Sequence, residues 1–321
     1  MSRLGDVEVV VIAARREEAY AVQSEFKKHS DASYTDEDTR HLRDLVVHHF
    51  KIPGKSEHLA VGHSYLEGMG NIESAARTAQ LIEHYRPVLV LFVGIAGSLD
   101  PERARIGDVF LPQTVKTRFY NKIKDLTKES FKKLTADERR ETFMNRCCKL
   151  DFDFQEERIT AAARKLIAQI PVEHFTNSMG NEDLPTEWKE RKLYLGRRAG
   201  LQMEETSFSW EKVISSNSYV KFLRTQVGRA PTCVDMESYG FLKAVNALYE
   251  RPGAIGLIVR GISDYAQDKI TSDGETKWRD LAKRNAAKVA RMLIQEVYPN
   301  YSRGHYSKQP TNEISPEVLA S

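Results

Sequence analysis

Apolar positions in this chain fall into short, nearly unbroken runs set between amphipathic stretches, the pattern of buried strands alternating with helices. Val7–Ala14 is the first run, rich in β-branched residues and bounded by Asp6 and Arg15-Arg16, and it predicts a buried strand. A helix is expected from about Glu17, carrying Ala21, Val22 and Phe26. The polar stretch Ser30–Asp44 reads as a loop, and Val46–Lys51 and His58–His63 as strands of a more exposed, antiparallel kind. The turn Gly68-Met69-Gly70-Asn71 then opens a helix. Its residues Ile72, Ala75, Ala76, Ala79 and Ile82 are expected to lie close against a sheet, and Pro87 ends it. Val88–Val93 is a strand without one polar side chain, capped by Gly94-Ile95-Ala96-Gly97, and Val109–Val115 supplies another.

From Lys116 to about Lys212 the pattern changes: charges dominate, and Ile159–Ile170 is the clearest amphipathic helix. This stretch, 116–212, is expected to be a helical insertion or lid without a core of its own. Sheet-like patterning resumes at Lys212–Ser216. A helix over Met236–Tyr249, a buried strand over Ala254–Arg260 and a last helix over Lys277–Tyr298 complete the series. The last helix carries a stripe of Trp278, Leu281, Ala282, Ala286, Val289, Leu293 and Val297 at helical spacing. The expected fold is α/β: one three-layer αβα domain over 1–298 with a central mixed sheet, the inserted segment, and a flexible tail over 299–321.

Composition narrows the function classes. With 321 residues, 29% of them charged, and a net charge of +3, the chain is too balanced to argue for nucleic acid or an acidic membrane as partner. No apolar segment approaches the ~20 residues that span a bilayer, and no signal peptide is read at the N-terminus. Three cysteines, Cys147, Cys148 and Cys233, make neither a disulfide framework nor a zinc site, so a reduced, cytoplasmic setting is expected. His48 and His49 are adjacent and so point to opposite sheet faces, which argues against a shared metal. Arg118, Arg197 and Arg198 read as solvated surface.

Three acidic residues sit where strands end or helices begin: Glu18, Glu237 and Asp264. In an open α/β sheet ligands bind beyond the carboxyl ends of strands. Carboxylates gathered there suit the breaking of an N-glycosidic bond. The anomeric carbon becomes cationic as the bond stretches, a purine leaves readily only when a ring nitrogen is protonated, and water needs a base. Each residue also has a plainer reading: Glu17 and Glu18 as first-turn acids complementing a helix dipole, Asp264 as a cap, Glu237 as a solvated charge.

Four segments tip the balance, and each is weak alone. They are Ala14-Arg15-Arg16-Glu17-Glu18-Ala19-Tyr20-Ala21-Val22; Gly68-Met69-Gly70-Asn71; Val93-Gly94-Ile95-Ala96-Gly97-Ser98 with Ile106-Gly107-Asp108-Val109; and Val234-Asp235-Met236-Glu237 with Val259-Arg260-Gly261-Ile262-Ser263-Asp264-Tyr265. In order and spacing they resemble the superfamily of purine nucleoside phosphorylases and 5′-methylthioadenosine/S-adenosylhomocysteine nucleosidases, over roughly two-thirds of the chain, the nucleosidase branch most closely.

The resemblance implies roles. Glu18 positions the attacking water, and Asp264, with Ser263 beside it, protonates the purine at N7. Glu237 binds the ribose hydroxyls and Met236 packs under the sugar. Gly94, Ala96 and Gly97 allow close approach, and Ile95 stands where nucleosidases often have serine. Tyr219 matches the aromatic that stacks on the base. The phosphorylases' Gly-Asp-Pro-x-Arg phosphate loop is replaced by Ala14–Glu18, which favours hydrolysis. The implied activity is release of free base from an adenine-type purine nucleoside or nucleotide, without metal or organic cofactor, by a homo-oligomer (dimer or hexamer). The alternatives are an AMP or ATP nucleosidase acting in stress or defence, in which Arg15 and Arg16 beside Glu18 would accept a 5′-phosphate chain, a phosphate-dependent phosphorylase, and a catalytically inactive nucleotide sensor.

Overall fold

A computed structural model of the chain describes residues 7–35, 45–52, 58–125, 133, 148–180, 200–202, 206–211, 214, 217–226, 231–248, 253–266 and 273–305. In chain order its elements are β1 (Val9–Ala13), α1 (Arg16–His29), β2 (Ala32–Thr35), β3 (Val46–Lys51), β4 (His58–Tyr65), α2 (Asn71–Tyr85), β5 (Leu89–Ser98), β6 (Val109–Phe110), β7 (Thr114–Asp125) and β8 (Cys148–Arg158). There follow α3 (Ala161–Ile167), α4 (Val172–Ser178), β9 (Leu201–Gln202), β10 (Thr206–Ser209), α5 (Asn217–Gln226), β11 (Cys233–Asp235), α6 (Ser238–Leu248), β12 (Ile255–Tyr265), α7 (Asp273–Met292), a π turn (Leu293–Val297) and α8 (Tyr298–His305).

The strands form one mixed sheet in the order β2-β3-β4-β1-β5-β11-β10-β7-β8, with β12 paired to β5 and β6. The most apolar runs lie at its centre. β5 is parallel to β1 on one side and to β12 on the other, register Val9↔Leu89 and Ile255↔Leu89. Both faces of these strands are covered, so Val9–Ile12, Leu89–Val93 and Leu257–Val259 are almost wholly buried. α7 packs on β12 and β5 and against α1, while α2 packs on α6. The approach of α7 to β12 is close: a Cβ on Gly261 would overlap the Ala282 carbonyl. The whole expected stripe, Trp278 to Val297, is buried. The expected three-layer α/β architecture with a mixed central sheet is the one observed.

Several expected details differ. β4 lies between β1 and β3 and is buried along most of its length, so it is not an exposed strand. His48 is buried on β3, its Nε2 3.2 Å from Nδ1 of His63, while His49 faces the other way. Ser30–Asp44 holds the short strand β2. Gly94–Gly97 continues β5 and does not cap it.

On α2 the expected face holds only in part: Ile82 is buried as expected, but Ile72 is 83% exposed, and Ser74, Arg77, Thr78 and Leu81 are buried. At Asn71 and Arg77 hydrogen bonding accounts for the burial of polar side chains. Asn71 Oδ1 accepts from Ser209 Oγ and from the Gly240 N–H, and Arg77 Nη2 donates to Ser64 Oγ at 2.8 Å. Polar side chains with partners can take buried positions, and apolar periodicity alone then misplaces the face.

The 116–212 stretch holds helices α3 and α4, but it opens as strand. β7 and β8 pair antiparallel and join the sheet through β10. The helix expected over Ile159–Ile170 is α3, Ala161–Ile167, started by Thr160 Oγ1 accepting from the Ala163 N–H at 3.2 Å. Helix α8 extends into the stretch expected as a tail, with Tyr301 buried. Cys147, Arg197, Arg198 and most of Lys212–Ser216 lie outside the described residues. Among the described residues no helix is long and apolar enough to cross a membrane.

Candidate active site

A cleft opens at the carboxyl ends of β1, β5, β11 and β12, where such sheets bind ligands. Its wall includes Glu18, Ile95, Ala96, Gly97, Met236, Glu237, Ser263 and Asp264, so eight of the ten residues expected at the site converge there. Two do not line it. Gly94 lies behind the wall, where a Cβ would overlap the Arg260 guanidinium and come within 2.7 Å of a Glu18 carboxylate oxygen. Its lack of a side chain lets those two groups meet across β5; it serves the protein's own charges. Tyr219 stacks on Trp210, ring centroids 5.4 Å apart, and its hydroxyl accepts from Arg118 Nη1 at 2.7 Å. That bond also places Arg118 in a buried aromatic cluster, where solvated surface was expected.

Glu18 is held by the turn that joins β1 to α1. Its Oε2 accepts the N–H groups of Ala14 and Arg15, both at 3.1 Å, closing the helix start with a carboxylate three residues in. The plain role in helix capping and the site role are therefore filled by one side chain. Burial pushes its pKa up, opposed by Arg260 and by main-chain donors of Arg15 and Ile95.

Asp264 owes its position to an irregularity. β12 runs in register with β5 until Ile262↔Ala96, and the next pair is Asp264↔Gly97, so Ser263 is an extra residue, a β-bulge. Bulges re-aim side chains beside functional sites. Ser263 Oγ donates to Asp264 Oδ2 at 2.7 Å, and the other carboxylate oxygen lies 2.9 Å from where a Cβ on Gly97 would be. A residue with a side chain at 97 would push the acid out of its place.

Behind Glu18 and Glu237 sits Arg260, fully buried on β12. Its Nε donates to Asp235 Oδ2 at 2.9 Å, its Nη2 lies 3.8 Å from Glu237 Oε2, and its guanidinium stacks over Phe92 at 4.2 Å. Asp235 is further fixed by the N–H of Ser238 at 3.0 Å and by the Ser238 hydroxyl. Burial acts to lower the pKa of this guanidinium, and Asp235, Glu237 and Glu18 outweigh it, so it stays charged.

Glu237 accepts weakly from the Gly70 and Met236 N–H groups, at 3.4 and 3.3 Å. Burial, reinforced by Asp235 and Glu18 and opposed by Arg260, raises its pKa to about 7. The turn Gly68–Asn71 thus supports the site: Gly70 contacts Glu237, and Asn71 N–H donates to Glu211 at 2.8 Å. Asp108, in the third motif, braces the fold by accepting from Arg105 and Gly200 N–H groups and is not part of the cleft wall.

Arg260, Asp235 and Arg279 were not singled out from sequence as site residues, and all three belong to the cleft or its backing, while Arg15, read from sequence with Arg16 as an acceptor for a 5′-phosphate chain, lines the cleft. A charged residue inside the otherwise apolar run Ala254–Gly261 was the available signal for Arg260. Among the described residues no group of three or more His, Cys, Asp or Glu is placed to hold a metal ion.

The fold and this cleft define an α/β protein of the nucleoside-processing kind in architecture. The family model of the phosphorylase superfamily matches residues 9–176, over half the chain, and the chain belongs to that superfamily. Among solved structures it is similar to the 5′-methylthioadenosine/S-adenosylhomocysteine nucleosidase of Helicobacter pylori, at 16% identity and a TM-score of 0.53, covering 90% of this chain and 97% of that one. The futalosine hydrolase of Helicobacter pylori gives the same values. The Neisseria meningitidis 5′-methylthioadenosine/S-adenosylhomocysteine nucleosidase is 15% identical with a TM-score of 0.54, covering 89% and 98%. At these identities the likeness is one of fold. No curated protein matches the chain by sequence.

Proposed function

We propose that the cleft hydrolyses the N-glycosidic bond of an adenine-type purine nucleoside or nucleotide and releases the free base. The observation that carries this reading is the placement of Glu18, in the first turn of α1 just after β1, and Asp264, near the end of β12, so that both face one cleft from either side of β5. Asp264 is the acid that protonates the purine as it leaves, with Ser263 orienting its carboxyl. Glu18 is the base that holds water for attack at the anomeric carbon, and its negative charge also favours the oxocarbenium-like transition state. Glu237 accepts from the ribose hydroxyls, and Met236 packs beneath the ring.

Hydrolysis is favoured over phosphorolysis because the amides of Ala14 and Arg15, which begin α1, are already bonded to the Glu18 carboxylate. A phosphate nucleophile would meet that negative charge in place of free donors. Exposed Tyr20, Met69 and Ile72 on the turns and helix starts at this end of the sheet support the expected homo-oligomer.

The test is chromatography of products from adenosine in buffer with and without phosphate. Free adenine and ribose, formed at a rate indifferent to phosphate, are expected. Ribose 1-phosphate among the products would overturn hydrolysis, and ligand binding without base release would return the sensor reading.

A pH effect follows from Glu237. As a carboxylate it accepts both ribose hydroxyls, so KM is expected to rise as the pH falls through about 7. Glu237→Gln should show a high KM at every pH, with no inflection there. An inflection retained near 7 in that variant would assign it to another group. The same group acts on stability in a definite sense. Between 4.5 and about 7 the native chain holds a proton that the unfolded chain has released, so its contribution to stability falls as the pH rises across that window.

A further inference from the structure

Most charged groups of the cleft have compensation on hand. Glu18 has two amides and Arg260, Asp235 has Arg260 and Ser238, Glu237 has Arg260 and Gly70, and Asp264 has Ser263. Arg15 differs. It is exposed, it lines the cleft, and it makes no ion pair with an acidic side chain among the described residues, its charge acting on Glu18 only through space. The nearby main-chain donors are already spent: Ala14 and Arg15 on Glu18, Gly70 on Glu237, Asn71 on Glu211. An anion at this corner would therefore depend on the Arg15 side chain.

The sheet order says which part of a substrate reaches that corner. β5 lies between β1 and β12. On the β12 side, Val234, Ile214 and Ala266 form an apolar wall beside Asp264, suited to a flat base. In the proposed hydrolysis the sugar would lie over the end of β5, with Glu237 on its hydroxyls. That pose would direct the remaining substituent, on the 5′ carbon, to the β1 side, where Arg15 and Met69 line the cleft.

We infer that Arg15 is a specificity-determining residue and that the preferred substrate carries a phosphate group on its 5′ carbon, a purine nucleoside 5′-phosphate. The inference takes its substrate orientation from the proposed hydrolysis. A guanidinium offers five donors and no acceptor, and it binds phosphate in a two-pronged fashion that a hydroxyl or thioether does not match. The same chemistry would also fit free phosphate, and the experiment separates the two sources.

Adenine release is compared for AMP, adenosine and 5′-methylthioadenosine, with adenosine also assayed with added inorganic phosphate. Equilibrium binding of AMP and adenosine is measured calorimetrically on the same samples. AMP is expected to be preferred over adenosine by at least about tenfold in kcat/KM, a preference that Arg15→Met removes and Arg15→Lys partly restores. Base release with no preference for AMP, or a preference for the thioether, would overturn the inference and leave hydrolysis standing. Adenosine cleavage stimulated by phosphate through Arg15 would overturn it too, by assigning the residue to the free ion. Tighter, Arg15-dependent binding of AMP with no base release from any substrate would uphold Arg15 as the residue that recognises the 5′-phosphate and remove the hydrolytic reading.

Discussion

Replacing Asp264 by Asn is expected to lower base release by roughly two to four orders of magnitude, the usual contribution of a positioned general acid, while leaving the fold intact. Both halves of that expectation rest on the bulge at Ser263. The extra residue turns Asp264 out of the strand alternation and over Gly97, where its carboxyl faces the cleft and takes one hydrogen bond from Ser263. Asn has the same shape, and its amide oxygen can still accept from that hydroxyl, so neither the bulge nor the packing against Gly97 is disturbed. What is lost is the proton for the departing purine. Turnover under saturating substrate measures the loss, and an unchanged unfolding midpoint shows that the fold is kept. Turnover equal to the parent's would remove Asp264 from the acid's role. A fall in both turnover and midpoint would make it a structural residue of the bulge.

The fold was legible because its central strands are apolar on both faces. Val9–Ile12, Leu89–Val93 and Ile255–Val259 could be read as buried, and the α7 stripe fell where spacing put it. Legibility failed where polar groups go inside with partners. α2 buries Asn71, which Ser209 and Gly240 supply with hydrogen bonds, and Arg77, which donates to Ser64, and it leaves Ile72 in solvent. It failed again at β7 and β8, where charge-rich sequence forms a strand pair joined to the sheet through β10.

At the site, residues that end strands or begin helices were found, since the chain's connectivity marks them. Arg260 was missed inside a string that was otherwise noticed, because its partners Asp235 and Glu237 arrive from a different strand. Tyr219 was placed by resemblance alone, and its ring is satisfied by Trp210 and Arg118.

Arg260 is also where the largest loss of stability is expected. Arg260→Met keeps much of the side chain's length and its contact with Phe92 but removes the charge that lies among three buried carboxylates. Taking one partner from a buried ion pair costs about 3–5 kcal/mol, since the other partner is left uncompensated. Against a total of about 5–15 kcal/mol for an ordinary domain, that is a large share. Chemical unfolding would register it as a lowered midpoint. Arg260→Lys should recover only part of it, because an ammonium is a point charge and does not span Asp235 and Glu237 as the guanidinium fork does. The catalytic consequence has a sign of its own. The guanidinium is the strongest opposition to the upward shifts of Glu18 and Glu237. Without it both carboxyls hold their protons to higher pH, so base release near neutrality should fall and recover in part on the alkaline side. A variant as stable as the parent, with an unmoved pH profile, would mean that the carboxyls around Arg260 are already protonated in the native protein.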